Sequence, residues 1–235
     1  MKFGILCAMD EEIKELKTQL TDEVTTTVGK VDFFSGRIND SDVVLVRSGI
    51  GKVEAGLTTA LLITNFNVDV VINSGSAGGI GTGLTVGDVV VADETAYWDV
   101  DATAFDYVYG QLPQQPARFK ASEKWANEVI DAANETGLAV KRGLIVTGDS
   151  FVASDDTIAA IKKHFPAAVS CEMEGAAVGQ VAHQFDVPYL VIRAMSDTGN
   201  GDAGVSFDEF IIEAGKRSAN MLLNLFKKQS DAEAR

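Results

Sequence analysis

Residues 43–79 read VVLVRSGIGKVEAGLTTALLITNFNVDVVINSGSAGG: an apolar run closed by glycines, a segment of helical character, and a second apolar run closed by glycines. Short apolar runs bounded by turn residues read as buried strands, and a longer segment between two of them reads as the helix that joins them. Outward from this unit the alternation repeats. Strands are predicted at 3–8, 43–48, 68–74, 88–97, 143–147, 168–171 and 189–194, each rich in Val and Ile. Helices are predicted at 11–20, 52–66, 122–136, 155–165, 175–185 and 207–228. That order is a central sheet flanked by helices, so the fold class is α/β. Residues 25–28 and 31–38 flank the turn dipeptide Gly29-Lys30 and read as a hairpin, which makes the twisted sheet mixed rather than purely parallel. No linker, repeat or low-complexity tract interrupts residues 1–228, which read as a single domain; the polar tail 229–235 is expected to fray.

The chain has 235 residues, 46% of them hydrophobic, enough to bury a large core. Its formal net charge is −14, and its 20 Lys and Arg are scattered, so neither nucleic acid nor an anionic membrane is an expected partner. Solubility through mutual repulsion is the favoured reading of that charge. No apolar stretch is long enough to span a bilayer, and the N-terminal apolar run is too short for a signal peptide and is followed by acidic residues. A cytoplasmic protein is expected. Cys7 and Cys171 lie in apolar segments and read as reduced, packed thiols. His164 and His183 have no Cys, His or carboxylate neighbour at ligand spacing, so neither a metal site nor a histidine-based triad is expected.

Residues 100–119 form a long connection with no clear period that carries Phe105, Tyr107, Tyr109 and Phe119. A subunit contact or pocket lid is one reading of those aromatics and packing among themselves is the other; the pattern does not separate them.

Four charged or polar clusters sit at the ends of strands. Met9-Asp10-Glu11-Glu12 opens the first helix, where the helix dipole favours negative charge, and from spacing alone that role outranks catalysis. Ser48-Gly49-Ile50-Gly51-Lys52 and Ser74-Gly75-Ser76-Ala77-Gly78-Gly79 match neither a Walker A loop nor a dinucleotide fingerprint; tight turns compete with ligand binding there. Cys171-Glu172-Met173-Glu174 places two carboxylates at the exit of a short apolar strand, a costly position unless they find partners; a ribose with two vicinal hydroxyls suits an acceptor-only group. In Leu190–Asp197, Arg193 interrupts a buried run and needs a carboxylate, for which Glu12, Glu172 and Glu174 are candidates because a parallel arrangement ends these segments at one sheet edge. A purely structural ion pair is the competing reading.

Together these clusters resemble the 5′-methylthioadenosine/S-adenosylhomocysteine nucleosidases of the nucleoside phosphorylase superfamily, from residue 1 to about 228. The segments that carry the likeness are G-I-L-C-A-M-D-E-E (4–12), S-G-I-G-K-V (48–53), N-S-G-S-A-G-G (73–79), T-A-F-D-Y-V-Y-G-Q-L-P (103–113), G-L-I-V-T-G-D-S-F-V (143–152), E-M-E-G-A-A (172–177) and R-A-M-S-D (193–197). The resemblance implies a homodimer acting on an adenine nucleoside without metal or organic cofactor. It implies that Asp197, with Ser196 beside it, is the acid at adenine N7, that Phe151 stacks on the base, and that the Val152 backbone reads its edge. Glu174 and the Met173 backbone resemble the ribose contacts, and Glu12 with Arg193 and Ser76 the water site. Met9 and Ile50 would lie against the sugar or thioalkyl group, with Phe207 closing that end, joined by Phe105, Tyr107 and Pro113 from the neighbouring subunit. Ala102 and the glycine-rich run 198–204 imply a looser thioalkyl end.

The implied reaction separates adenine from ribose through an oxocarbenium-like transition state, which suits an acid on one side and an anion on the other. To hold a proton near neutral pH, Asp197 needs a raised pKa, which an apolar, partly buried strand end supplies. Three other readings remain: a phosphate-dependent phosphorylase of the same superfamily, a hydrolase of futalosine-type nucleosides, and a nucleoside-binding protein without catalysis. A carboxylate at position 12 opposes the first, since it repels a phosphate dianion. The third has no need of both Glu12 and Asp197.

Overall fold

The computed structural model describes residues 1–134, 140–198 and 203–233. In chain order the elements are β1 Lys2–Cys7, α1 Asp10–Thr18, β2 Thr21–Val28, β3 Val31–Ile38, β4 Ser41–Arg47, α2 Lys52–Phe66, β5 Val70–Gly79, β6 Val89–Tyr97, β7 Phe119–Lys120, α3 Glu123–Asn134, β8 Val140–Thr147, α4 Asp155–His164, β9 Ala168–Glu172, α5 Gly175–Gln184, β10 Tyr189–Asp197 and α6 Ala203–Glu233. They form one mixed sheet with helices on both faces, as the alternation predicts.

The period of two along the strands decides which helix each side chain meets. Phe3, Ile5, Cys7, Val70, Ile72, Leu190 and Ile192 face Ile13 and Leu16 of α1, Trp125 of α3 and Leu222 and Phe226 of α6. Their neighbours Leu6, Val71 and Val191 face the opposite side, where Ala55 and Leu62 of α2 and Ala176, Val178 and Ala182 of α5 cover them. Alanine and glycine supply five of the ten residues of α5, Gly175, Ala176, Ala177, Gly179 and Ala182, and all five are buried.

The strand order runs β10-β6-β8-β9-β5-β1-β4-β3-β2, and β10 also pairs with β5. Strands β5, β10, β6, β8 and β9 therefore close into a ring, from which β1, β4, β3 and β2 extend as an open wing. Strand β5 belongs to both. Its first half pairs with β1 through Phe3↔Val70 to Leu6↔Asn73. Its last two residues pair with β9, Gly78↔Cys171 and Gly79↔Ser170. Between Asn73 and Gly78 that side of β5 has no strand partner among the described residues, and the sheet forks.

Several elements differ from the sequence reading. Strand β5 continues through Gly79, although its glycines read as tight turns, because Gly75, Ser76, Ala77 and Gly78 pair with Arg193, Ala194, Met195 and Asp197 of β10. Strands β5 and β9 run antiparallel, not in the parallel arrangement predicted for their ends. They overlap only by their final residues, so their C-terminal ends still converge on one point. The hairpin forms as predicted, with Val28 opposite Val31 and Gly29 at φ +64°, while β2 begins earlier and carries a register shift between Thr21 and Val24. The connection 100–119 contains a 3₁₀ turn, Thr103–Phe105, and ends in β7, too short for its period to be read. Helix α6 starts earlier than predicted and continues into the tail expected to fray, where Ser230 bonds the Asp40 carboxylate and Gln229 meets Ser41. Residues 135–136 of the predicted third helix and 199–202 of the glycine-rich run lie outside the described residues. Among the described residues no helix is long and apolar enough to cross a membrane.

Candidate active site

A cavity opens at the fork of the sheet. Its walls come from the β1–α1 junction (Ala8, Met9, Glu12), the β4–α2 loop (Ile50), the second half of β5 (Ser76, Ala77, Gly78), the loop after β8 (Ser150, Phe151, Val152), the end of β9 (Cys171, Glu172, Met173, Glu174), the end of β10 (Ser196, Asp197) and α6 (Phe207). Met9, Glu12, Ile50, Ser76, Phe151, Val152, Met173, Glu174, Ser196, Asp197 and Phe207, all predicted from sequence, thus share one cavity. Arg193 lies behind its wall, fully buried. Phe105, Tyr107 and Pro113 do not line this chain's cavity; Phe105 is 76% exposed and Pro113 is also exposed. Of the connection's aromatics, Tyr109 stacks on His164 at 3.9 Å and Phe119 packs edge-on to Tyr97, so both pack on other elements of this chain rather than on one another.

Glu12 serves the helix start and the cavity at once. It is the third residue of α1, and its Oε2 accepts from the backbone N–H of Ala8 at 2.9 Å and of Met9 at 3.1 Å. Its Oε1 accepts from Ser76 N–H at 2.8 Å and from Ser76 Oγ at 2.9 Å. The bare edge of β5 thus donates to a side chain in place of a neighbouring strand, which is how a forked sheet satisfies its backbone.

The bulge in β10 aims the opposite wall. Its register passes from Met195↔Ala77 directly to Asp197↔Gly78, so Ser196 is the extra residue. In a regular strand Ser196 and Asp197 would face opposite sides; the bulge turns both into the cavity. Ser196 Oγ donates to Asp197 Oδ2 at 2.9 Å, and both residues are buried. A Cβ on Gly78 would lie 3.0 Å from Asp197 Oδ1 and 3.4 Å from Cys171 Sγ, so the glycine makes room for both. Burial, with the charges of Asp197 and Glu172 adding to it, pushes the Cys171 thiol well above its ordinary range, so it stays neutral. Cys7 and Cys171 are both free and buried.

Arg193 finds its carboxylates in Glu172 and Glu174, not in Glu12. Its Nη2 bonds Glu172, Glu174 at 3.2 Å and the Asn73 side-chain oxygen, and its Nη1 donates to the Ser76 carbonyl at 3.2 Å. Glu172 also accepts from Thr147 Oγ1 and from the backbone N–H groups of Glu174 and Gly175. Glu172 is therefore an anchor, while Glu174 keeps one oxygen on Arg193 and the other on Gly51 N–H at 2.9 Å. Burial pushes the Glu174 carboxyl up to about 7, opposed by the Arg193 charge and reinforced by Glu172. The supporting roles of Asn73 and Thr147 had only one signal in the sequence, a polar residue within an apolar strand. Phe151 stands half-exposed at the mouth, edge-on to Phe207 at 5.6 Å.

The family model described as the phosphorylase superfamily matches residues 2–227. A 5′-methylthioadenosine/S-adenosylhomocysteine nucleosidase of Actinobacillus succinogenes is 48% identical over 225 residues, 96% of this chain and 98% of that protein. The nucleosidase of the same name from Neisseria meningitidis, solved in complex with methylthio-immucillin-A, superposes with a TM-score of 0.95 at 44% identity, covering 97% of this chain and 99% of that one. Futalosine hydrolase of Helicobacter pylori superposes with a TM-score of 0.93 at 34% identity, over 97% and 98% of the two chains. Similarity of this degree, sustained along nearly the whole length, shows that the chain belongs to the 5′-methylthioadenosine/S-adenosylhomocysteine nucleosidases of the phosphorylase superfamily.

Proposed function

We propose that the protein hydrolyses the N-glycosidic bond of 5′-methylthioadenosine and S-adenosylhomocysteine, and of 5′-deoxyadenosine, releasing adenine and the corresponding ribose product. The observation that carries this reading is a single cavity walled by two buried acids, Glu12 and Asp197, held by unrelated elements. Asp197 gives a proton to adenine N7 as the C1′–N9 bond breaks and its electrons pass to the purine. Glu12 takes a proton from the water whose oxygen bonds C1′. Glu174, with the Met173 backbone, holds the ribose hydroxyls, Arg193 fixes Glu174 and the Ser76 carbonyl, and Phe151 and Val152 hold the base. General acid help is worth roughly 10²–10⁴-fold, so carboxylate electrostatics and positioning supply the rest.

Hydrolysis is favoured over phosphorolysis because the donors that could cradle an anion at this end, Ser76 N–H and Oγ, are already engaged by Glu12. A phosphate dianion there would meet a carboxylate. The reaction suits salvage of methionine from by-products of S-adenosylmethionine in the cytoplasm. We also propose a homodimer in which Phe105, Tyr107 and Pro113 of one protomer close the thioalkyl end of its partner's cavity.

The test is incubation with 5′-methylthioadenosine, with and without phosphate, followed by chromatography of the products. Adenine and free methylthioribose, formed equally in both, are expected. A sugar 1-phosphate formed only with phosphate would replace hydrolysis by phosphorolysis, and no adenine at all would remove the activity.

A further inference from the structure

We propose that Asp149 is a positioning residue that registers the purine-stacking loop against the ribose carboxylate. The inference rests on the nucleosidase reading of the cavity.

Helix α2 has Gly51 at its N-terminal boundary, so it has no capping side chain of its own. Two successive N–H groups there are taken by carboxylates from distant parts of the chain. Gly51 N–H donates to Glu174 Oε1 at 2.9 Å, and Lys52 N–H donates to Asp149 Oδ1 at 2.8 Å. One carboxylate belongs to the ribose end of the cavity. The other stands two residues before Phe151 in the loop that carries the stacking ring. The two donors sit on adjacent planar peptide units joined at the Gly51 Cα, so their spacing is set once the Gly51 backbone is held at φ +99° and ψ 167°, and that local geometry is the ruler.

A clasp keeps the loop on that ruler. Asp99 Oδ2 accepts from Asp149 N–H at 2.9 Å and from Lys52 Nζ at 2.7 Å, while Lys52 Nζ also lies 3.6 Å from Asp149 Oδ2. The Lys52 and Asp99 side chains are only 22% and 21% exposed, so this pair is less screened than a free surface pair. Close packing removes other seats for the loop. Gly51, at φ +99°, would carry a Cβ 3.0 Å from Asp149 Oδ1, and a Cβ on Gly148 would lie 2.5 Å from the Trp98 ring. A residue that merely capped α2 would affect stability alone; a ruler also affects how well the base is gripped.

Steady-state adenine release and direct titration of free adenine separate the two. In Asp149→Ala the KM for 5′-methylthioadenosine and the Kd for adenine are each expected to rise about fivefold, the size of a lost cap, with kcat within about twofold. Asp149→Asn, whose amide oxygen still accepts from Lys52 N–H, is expected to recover most of the loss. Asp99→Asn, which loosens the clasp only, should shift the same two constants by about twofold. An Asp149→Ala protein with unchanged KM and adenine Kd overturns the proposal, as does an Asp149→Asn protein no better than the alanine variant. Wild-type protein that binds adenine yet releases none from the nucleoside would overturn the nucleosidase reading and leave the adenine titration to decide the role of Asp149.

Discussion

Replacing Gly75 by alanine adds one methyl group against both Arg193 and Glu12. The Cβ would stand 2.5 Å from Arg193 Nη1 and 2.6 Å from Glu12 Oε1, whereas ordinary contact begins at 3.4 Å. Both groups must then retreat, by 3.4 − 2.5 = 0.9 Å and 3.4 − 2.6 = 0.8 Å along those lines. Neither is free to do so, because Arg193 is bound to Ser76, Asn73, Glu172 and Glu174, and Glu12 to Ala8, Met9 and Ser76. Misplacing a reacting group by about 1 Å costs about 10²-fold in rate. Overpacking of this kind costs about 1–3 kcal/mol of stability. At about 2–4 °C per kcal/mol for a chain of this length, Tm falls by several degrees while the protein stays folded at 25 °C. The assay is adenine release at saturating 5′-methylthioadenosine beside a thermal melt. A variant with the wild-type kcat would refute the assignment of Glu12 to water activation at this spot, whatever its Tm.

Three further outcomes are expected. Asp197→Asn loses the proton donor while keeping the shape, so kcat falls by roughly 10²–10⁴-fold or more and titration of a substrate analogue still shows binding; retained turnover would remove Asp197 from the acid role. Glu174, raised from 4.5 to about 7 chiefly by burial, keeps its proton in the folded protein across that window but not in the unfolded chain. Stability from this group therefore declines as pH rises from about 4.5 to 7, while KM improves as the ribose carboxylate ionises near 7; a Glu174→Gln variant with the same pH profiles of Tm and KM would contradict both. Phe105→Ala removes a ring that is 76% exposed in the single chain, so Tm should change little while KM for thioalkyl substrates rises; an unchanged KM with a dimer intact by sedimentation would remove Phe105 from the neighbouring site.

The fold was legible because the buried strands are continuous apolar runs and the helices between them have the right length. What escaped was set by partners distant in sequence. Glycines 75, 78 and 79 read as turns because glycine usually marks them, yet here each lets a charged or bulky side chain approach a strand. The acidic residues at 12, 172 and 174 were conspicuous, but which of them Arg193 would choose depends on a fork in the sheet that no local pattern encodes. Asn73 gave little signal, since an amide within an apolar strand is unremarkable until its Nδ2 is found on Leu6 O and its oxygen on Arg193. Asp197 and Ser196 were legible as neighbours, whereas the bulge that lets both face one way was not.

The division of the sheet into a ring and a wing also bears on solubility during folding. Strands in the closed ring offer no long unsatisfied backbone to another molecule, and the open wing terminates at β2, whose outer side would invite a second chain to add itself. That margin is poorly suited to such templating. It is rich in threonine, includes Asp22 and Glu23, and is distorted by an irregularity at that acidic pair. A polypeptide with so negative a surface and so blunt a border is guarded against runaway association at the far end of the molecule from its cavity, leaving the residues around the nucleoside unburdened by that duty.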